Sequence, residues 1–464
     1  MLTRLEVDGF KNLLGLDVYF GPYTCIAGPN SVGKSNVFDV IEFLSLLADH
    51  PFMEAVKRLR SSGDKVIEPA SLFWNNAEDD DSPVMSLGFE MIVPDKVTDD
   101  FGHPAEPTTT FLRYDLRLRY LLPESGFPQT GRIVLEHESL THINLGAAHR
   151  HLPWSHSKKN FRDAVVHGRR SGAAYISTSV EEDGEVLIAV HQDGGSRGKP
   201  RPSPAARTPR TIVSTTTADD QTILAARREM QQWRMLALEP SAMRNPDSSG
   251  VDPHPTASGA HLAATLYRMA RDHGPDIYSE VAAEASALID IRELVVDYDQ
   301  RRDSLTLLAR IGTGPLLPAS SLSDGTLRFL ALCIMRADDS IGGLLCMEEP
   351  ENGIHPGRIE TMVDLVQSLG VDPHTPPGTG NPMRQIMVNT HSPLLVQHQD
   401  KQNLLAAVPA KVRRGKSIAT TMRLLPLPGT WRASLQDTKT VARSSLSDYL
   451  TEPPTSLLSI EGLA

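Results

Sequence analysis

The sequence predicts an α/β fold with a parallel or mixed sheet, an antiparallel β-lobe and a helical lobe. Short apolar runs at residues 23–27 and 344–347 have the length and composition of buried strands. Between residues 84 and 140, β-prone runs alternate with turns rich in Pro, Gly and Asp, as in antiparallel sheets. After residue 257 the pattern becomes helical, and no heptad repeat indicates a long coiled coil.

Composition sets the broad class of the protein. The chain has 464 residues, of which 40% are hydrophobic and 22% charged, which is ordinary for a soluble globular protein of two or three lobes. No apolar run has the length of a membrane span, and the N-terminus does not read as a signal peptide. Its three cysteines lie in apolar surroundings, so we expect a cytoplasmic protein without a disulfide framework. A net charge of −11 argues against indiscriminate coating of nucleic acid.

The first motif is a glycine-rich loop between a strand and a helix. Residues 28–35 fit the phosphate-loop pattern G-x-x-x-x-G-K-[ST] at every fixed position. Backbone N–H groups of such a loop and the start of the following helix form an anion site. Lys34 reaches the β- and γ-phosphates and is therefore also a catalytic candidate, while Ser35 is a ligand candidate for Mg²⁺. The residues expected to contact a nucleotide here are Gly28, Asn30, Ser31, Val32, Gly33, Lys34, Ser35 and Asn36.

The second motif is acidic. The strand at residues 344–347 ends in Glu348 and Glu349, where an α/β sheet places its ligand. We assign Glu348 to Mg²⁺ and Glu349 to the attacking water, as general base. Taken alone, the run would equally fit a solvated acidic turn.

Two further short motifs accompany these. His391 follows a short apolar strand, and a histidine there can bond a γ-phosphate or the attacking water. Ser323, Asp324 and Gly325 precede an apolar helix and offer a hydroxyl and backbone N–H groups to an anion. Each has an ordinary alternative: an incidental histidine at a helix start for the first, and a helix N-cap for the second.

The order and spacing of the four motifs resemble the ABC-type ATPase superfamily. The branch with RecF-like, structural-maintenance-of-chromosomes and overcoming-lysogenization-defect (OLD) ATPases is the most similar. Residues 5–13 resemble that branch's first strand, and the run at 348–356 is similar to the form in OLD-like ATPases. The resemblance covers residues 1–50 and about 230–410. It extends to AAA family ATPases of the AAA_21-like kind and to the ATPase subunits of the anti-phage systems Septu and PARIS.

This resemblance implies an ATPase head that binds ATP and Mg²⁺ and works as a head-to-tail homodimer or a higher oligomer. Ser323, Asp324 and Gly325 would contact the nucleotide of the second head, while the other motifs act on their own chain's nucleotide. It also implies nucleotide contacts for Lys11 and Asn12, in the first-strand motif. The glutamine loop of the superfamily has no clear counterpart, since Gln129 in a Pro/Gly turn receives no role.

Five segments are expected along the chain. They are an ATPase lobe with the phosphate loop and β-subdomain at 1–190, a flexible basic insertion at 191–222, a helical and signature lobe at 223–340, the remaining ATPase core at 341–410, and a C-terminal extension at 411–464. The insertion carries Arg197, Lys199, Arg201, Arg207 and Arg210. It could follow a phosphate backbone, or it could be a solvated loop.

The function expected from the resemblance is a nucleotide-switched ATPase. We expect the sensor or regulatory subunit of an anti-phage defence system with a separately encoded effector, a nuclease or a toxin. The alternative is a RecF-like DNA repair and recombination ATPase that binds DNA. A transporter ATPase is disfavoured because the acidic motif and glutamine loop differ, and no membrane partner is expected.

Overall fold

We analysed a computed structural model, which describes residues 1–59, 68–75, 82–122, 131–155, 158–168, 174–193, 201–415, 417–435 and 439–451. Gln129, Arg197 and Lys199 lie outside the described residues. The chain divides into two compact units. The first unit comprises Met1–Trp233, Pro373–Pro377 and Lys401–Ala464, and the second comprises Arg234–Asp372 and Gly378–Asp400.

The strands of the described residues are β1 (Leu2–Asp8), β2 (Leu16–Tyr19), β3 (Tyr23–Ala27), β4 (Val84–Ile92), β5 (Val97–Thr98), β6 (Pro104–Ala105), β7 (Phe111–Leu121), β8 (Arg132–His142), β9 (Ile176–Val180), β10 (Val186–Val190), β11 (Arg201–Pro204), β12 (Arg234–Leu236), β13 (Ile291–Asp299), β14 (Ser304–Ile311), β15 (Leu316–Pro318), β16 (Gly343–Glu348), β17 (Arg384–Thr390), β18 (Leu404–Arg414) and β19 (Ser417–Pro426). The α-helices are α1 (Lys34–Leu47), α2 (Phe52–Arg58), α3 (Ala148–His151), α4 (Asp163–Val165), α5 (Gln221–Gln231), α6 (Pro240–Met243), α7 (Leu262–His273), α8 (Asp276–Ser286), α9 (Asp324–Ala337), α10 (Ile359–Ser368), α11 (Pro393–Gln397) and α12 (Arg443–Thr451).

The first unit is built on a large antiparallel sheet with the strand order β11-β10-β9-β8-β7-β4-β1-β2. Buried and partly exposed residues alternate along most of β7, as expected for a sheet with one face on the core. β4 and β7 pair along their length, from Val84 opposite Arg119 to Ile92 opposite Phe111. The antiparallel β-lobe predicted after the first helix is therefore present.

The glycine-rich loop of the first unit follows β3, and every residue of β3 is buried. β18 pairs with β3 in parallel and with β19 in antiparallel. Because β18 runs from residue 404 to 414, the expected boundary at 410 falls inside a strand. The start of the expected C-terminal extension thus belongs to the sheet that carries the loop.

The described part of the basic insertion is structured. β11 pairs with β10, and two turns of 3₁₀-helix follow at Ala205–Arg207 and Val213–Thr215. The sequence predicted a loop because this segment is rich in Gly, Pro, Ser, Thr and Arg. The two prolines of β11 are tolerated because β11 is the edge strand of its sheet. Arg201 is paired with Asp220, with its Nη2 atom 2.5 Å from Oδ1, so its charge is already matched within the chain.

The second unit contains a parallel arrangement of β12, β16 and β17 and a separate antiparallel sheet of β13, β14 and β15. β16 and β17 are in register from Gly343 opposite Arg384 to Glu348 opposite Asn389. All seven residues of β17 are buried, both the apolar Ile-Met-Val at its centre and the two polar residues at each end. The carboxyl ends of both strands thus lie side by side.

The predicted α/β class is confirmed. The longest helices of the described residues, α1 and α9, have 14 residues each, and no long coiled coil is seen in that part of the chain. Every helix there is too short or too polar to span a membrane.

Candidate functional site

The phosphate loop has the backbone geometry that the motif requires. β3 ends at Ala27 and α1 begins at Lys34, with Gly33 at φ 111° and Ser31 at φ 65°. A side chain at Gly28 would place its Cβ 2.7 Å from the carbonyl oxygen of Ala407, so only glycine fits there. No side chain of the described residues caps α1, and helix starts of this kind are common anion sites.

Lys34 lies along this loop and is buried, with 6% of its surface exposed. Its Nζ donates hydrogen bonds of 2.7 Å to the carbonyl oxygens of Gly28 and Pro29. Ser35 follows in the first turn of α1 and is partly exposed, while Asn30 and Ser31 are exposed at the loop's tip. These positions agree with a cradle for phosphate groups.

Lys11 and Asn12 brace the loop and its helix. Asn36 Nδ2 donates to Asn12 Oδ1 at 2.8 Å, and Asn12 Nδ2 donates to the carbonyl oxygen of Val32 at 3.2 Å. Lys11 Nζ lies 2.6 Å from Oδ2 of Asp39, in the second turn of α1. The described contacts of both residues are thus with the protein itself, and their contact with a nucleotide stays a prediction.

In the second unit, Glu348 ends β16 and Glu349 follows it in the left-handed region, at φ 45°. Non-glycine residues adopt that conformation at a cost of about 1–2 kcal/mol, which the surroundings must offset. The Glu349 N–H donates to the carbonyl oxygen of Asn389 at 3.0 Å. The Asn389 side chain donates to Glu348 Oε1 at 3.3 Å, so one residue of β17 contacts both acids.

The Glu349 carboxylate is held by two side chains. His391 Nδ1 donates to Oε1 at 2.6 Å, and Asn352 Nδ2 donates to Oε2 at 2.8 Å. The side chains of Glu349 and His391 are 28% and 42% exposed, so water reaches the pair. This is the geometry of a general base oriented by a histidine and an amide. The sequence motifs predicted Glu349 and His391 as site residues, but they did not predict the contacts of Asn352 and Asn389 with the acids.

Glu351, the last acid of the same run, was not assigned a role from the sequence. It is only 7% exposed, and its Oε1 accepts a hydrogen bond from the hydroxyl of Thr390. Burial raises its pKa, against the opposing effect of that hydrogen bond. The repeated acids in Glu-Glu-Pro-Glu were the signal that could have pointed to it.

The signature residues lie at the start of α9. Ser323 is its N-cap, with Oγ accepting from the Thr326 N–H at 3.3 Å. Asp324 Oδ1 lies 2.5 Å from Nη2 of Arg244. The N-cap alternative therefore describes the local structure, and the contact of Ser323, Asp324 and Gly325 with a second head remains a proposal.

The predicted Mg²⁺ ligands, Ser35 and Glu348, are oxygen donors, and their contact with Mg²⁺ stays a prediction. No cluster of three or more His, Cys, Asp or Glu side chains suited to a metal occurs among the described residues. Mg²⁺ in nucleotide sites needs only one or two protein oxygens, since phosphates and water complete its octahedron. Cys25, Cys333 and Cys346 are buried, as their apolar surroundings predicted, and they form no disulfide bond with one another.

A comparison with protein families places a match over residues 228–397, to the family described as "AAA domain, putative AbiEii toxin, Type IV TA system". Among curated proteins, structural maintenance of chromosomes protein 1 of Schizosaccharomyces pombe is 32% identical over 93 residues. That match covers 19% of this chain and 8% of the relative, so the chain corresponds to a small part of that protein.

The fold is similar to solved head domains. The Smc head bound to the C-winged helix domain of ScpA has a TM-score of 0.41 at 14% identity, covering 92% of this chain and 98% of that chain. The SMC head domain from Thermotoga maritima has a TM-score of 0.37 at 11% identity, covering 92% and 98%. Over residues 228–397 the chain is thus similar to that AAA domain family, and the phosphate loop at 28–35 lies outside the matched stretch.

Proposed function

We propose that this chain binds ATP with Mg²⁺ and hydrolyses it to ADP and phosphate. The observation that carries the proposal is the phosphate loop, in which an uncapped helix start, two left-handed residues and a buried lysine occur together. The family match supports an ATPase domain independently of the loop, because it lies entirely outside residues 28–35.

The binding step is assigned to the loop. Its N–H groups and the start of α1 hold the phosphates, and Lys34 exchanges its carbonyl contacts for phosphate oxygens. Ser35 and Glu348 are the residues that would hold Mg²⁺, which would neutralise charge on the phosphates when bound.

The hydrolytic step is assigned to Glu349 and His391. Glu349 orients the attacking water and takes its proton on a carboxylate oxygen, while Asn352 and His391 keep that carboxylate in place. With Nδ1 directed at Glu349, Nε2 is the ring nitrogen of His391 that would face the γ-phosphate.

The switch is assigned to a homodimer of two heads in head-to-tail orientation. Ser323, Asp324 and Gly325 of one head would complete the site of the other, so that ATP favours the engaged dimer. A nucleotide switches states only if it binds one state more tightly than the other, and a ligand held at the interface meets that condition.

The proposed role is the cytoplasmic sensor or regulatory subunit of an anti-phage defence system with a separate effector. The family description, which names a toxin and a toxin–antitoxin system, supports this role. A DNA repair ATPase of the RecF kind is the second candidate, and the match to a chromosome-maintenance protein favours it. Hydrolysis that requires DNA would support the second role, whereas hydrolysis that requires a protein partner would support the first.

The test is a paired measurement of phosphate release and ATP binding. Glu349→Gln should lower phosphate release by about 10²- to 10⁴-fold, the usual contribution of a general base, while a fluorescent ATP analogue still binds. Glu360→Gln, at an exposed position of α10, is the matched control and should hydrolyse ATP as the wild type does. Equal turnover in wild type and Glu349→Gln would refute the assignment of the base.

A further inference from the structure

Glu351 is an unusual residue for its place in the molecule. It belongs to a turn in which the Ile354 N–H donates to the Glu351 carbonyl oxygen at 2.9 Å. Its carboxyl group is buried, and Oε2 has no hydrogen-bond partner among the residues that the structure describes. A buried carboxyl oxygen without a partner is costly, so Oε2 of Glu351 calls for an explanation.

The contact that Glu351 does make leads to His391. The Thr390 hydroxyl donates to Glu351 Oε1 and accepts a 2.9 Å hydrogen bond from the Ser392 N–H. The residues on both sides of His391 are thereby tied to one carboxyl group. Thr390 is fully buried and cannot find a substitute partner in water.

The same turn also sets the position of the catalytic pair. Glu349 and Glu351 are two residues apart, and the Asn352 N–H donates to the Glu349 carbonyl oxygen at 3.0 Å. The Thr390–Glu351 bond therefore links the segment that carries Glu349 to the segment that carries His391. His391 lies in hydrogen-bond contact with Glu349 only if these two segments keep their spacing.

We infer that Glu351 is a positioning residue, which acts through Thr390 to hold His391 Nδ1 against Glu349 Oε1. The inference rests on the proposed ATPase function and deepens it. Among the residues that the structure describes, Glu351 forms no side-chain hydrogen bond with Glu349 or His391. Its effect on hydrolysis is therefore indirect.

Burial raises the pKa of Glu351, and the hydrogen bond from Thr390 opposes this shift. Two substitutions separate the acceptor from the volume of the side chain. A glutamine would keep an acceptor for Thr390, whereas a leucine would keep the volume and lose the acceptor.

The experiment uses three variants of the full chain, Glu351→Gln, Glu351→Leu and Thr390→Val, with phosphate release and ATP-analogue affinity measured for each. We expect Glu351→Leu and Thr390→Val to lower kcat by about 10- to 100-fold, as displaced catalytic groups do, with little change in affinity. Glu351→Gln should stay within about threefold of the wild-type kcat. A merely structural role would instead lower the melting temperature of the leucine and valine variants without this split between kcat and affinity.

A double variant tests whether Glu351 and Thr390 act on hydrolysis through the same contact. Because both residues act on one contact, Glu351→Leu with Thr390→Val should be no slower than either single change. The inference would be overturned if the double variant lowered kcat by the product of the two single reductions. It would also be overturned if Glu351→Leu kept the wild-type kcat. If Glu351→Leu does not fold, Thr390→Val and Thr390→Ser carry the comparison, with a defect expected only in the valine variant. Absent hydrolysis in the wild type would instead refute the proposed function, so the two failures are distinguishable.

Discussion

Glu138 on β8 supplies a prediction whose size follows from the structure. Its carboxyl is fully buried and accepts hydrogen bonds from the N–H groups of Ile212 and Val213, at 2.8 and 3.1 Å, and from the Tyr114 hydroxyl at 2.9 Å. Burial raises its pKa from 4.5 to about 7, although all three donors act in the opposite direction. The folded first unit therefore binds a proton that the unfolded chain has already lost.

The sign and size of the effect on stability follow from linkage. Between pH 4.5 and about 7 the folded state holds the extra proton, so the free energy of unfolding falls as the pH rises through this window. At 1.36 kcal/mol for each pKa unit, the loss is about 3 kcal/mol, which is complete above pH 7. Glu138→Gln removes this pH dependence. It also loses one backbone hydrogen bond at all pH values, at a cost of about 1–3 kcal/mol.

The assay is urea unfolding from pH 4.5 to 8, followed by tryptophan fluorescence. All four tryptophans lie in the first unit, so the signal reports the unit that contains Glu138. The free energy of unfolding of the wild type minus that of Glu138→Gln should decrease by about 3 kcal/mol as the pH rises through the window, so the variant becomes as stable as the wild type or more stable. Tyr114→Phe removes one donor to the ionised carboxylate, so the pKa of Glu138 should rise. The fall in the free energy of unfolding should then occur at higher pH than in the wild type. Parallel pH profiles for wild type and Glu138→Gln would refute the reasoning.

The remaining predictions concern the loop, the signature and a thiol. Gly33→Ala would place a Cβ 2.5 Å from Asn12 Nδ2 at φ 111°, so ATP affinity should fall by at least about tenfold in an analogue titration, with an unchanged fold by circular dichroism. Ser323→Asp keeps a good N-cap for α9 but adds a charge that repels phosphate, so hydrolysis should be lost while melting temperature and ATP binding by the monomer are retained. If Ser323→Asp lowered ATP binding by the monomer as much as it lowered hydrolysis, the proposed contact of Ser323 with the nucleotide of the second head would be contradicted. Burial raises the pKa of the Cys333 thiol to about 12, so it should react with a thiol reagent only after unfolding, and reaction in the native state would contradict its burial.

The phosphate loop and the acid–histidine pair were predictable because their signals are local. A strand, a glycine loop and a helix follow one another within 25 residues of sequence, and β3 and α1 begin where the pattern indicated. Likewise Glu349 and His391 lie two and three residues beyond short apolar runs, and parallel pairing of β16 and β17 brings the carboxyl ends of these runs to one edge.

Burial of single acids was not predictable, because it depends on distant partners. Glu351 is buried against Thr390, which lies 39 residues further along the chain. Glu138 faces the core because the pairing of β7 with β8 shifts register between Arg117 and Leu118. Such a bulge reverses the inside–outside alternation, and no pattern in the sequence marks its position.

The central claim is that ATP is the switch of a dimer, and the mass of Glu349→Gln in solution tests it most directly. Mass photometry should show monomers without nucleotide and dimers or larger assemblies with ATP and Mg²⁺, in the absence of DNA. Monomers under both conditions would contradict the claim, and assembly only in the presence of duplex DNA would replace it with the DNA repair alternative.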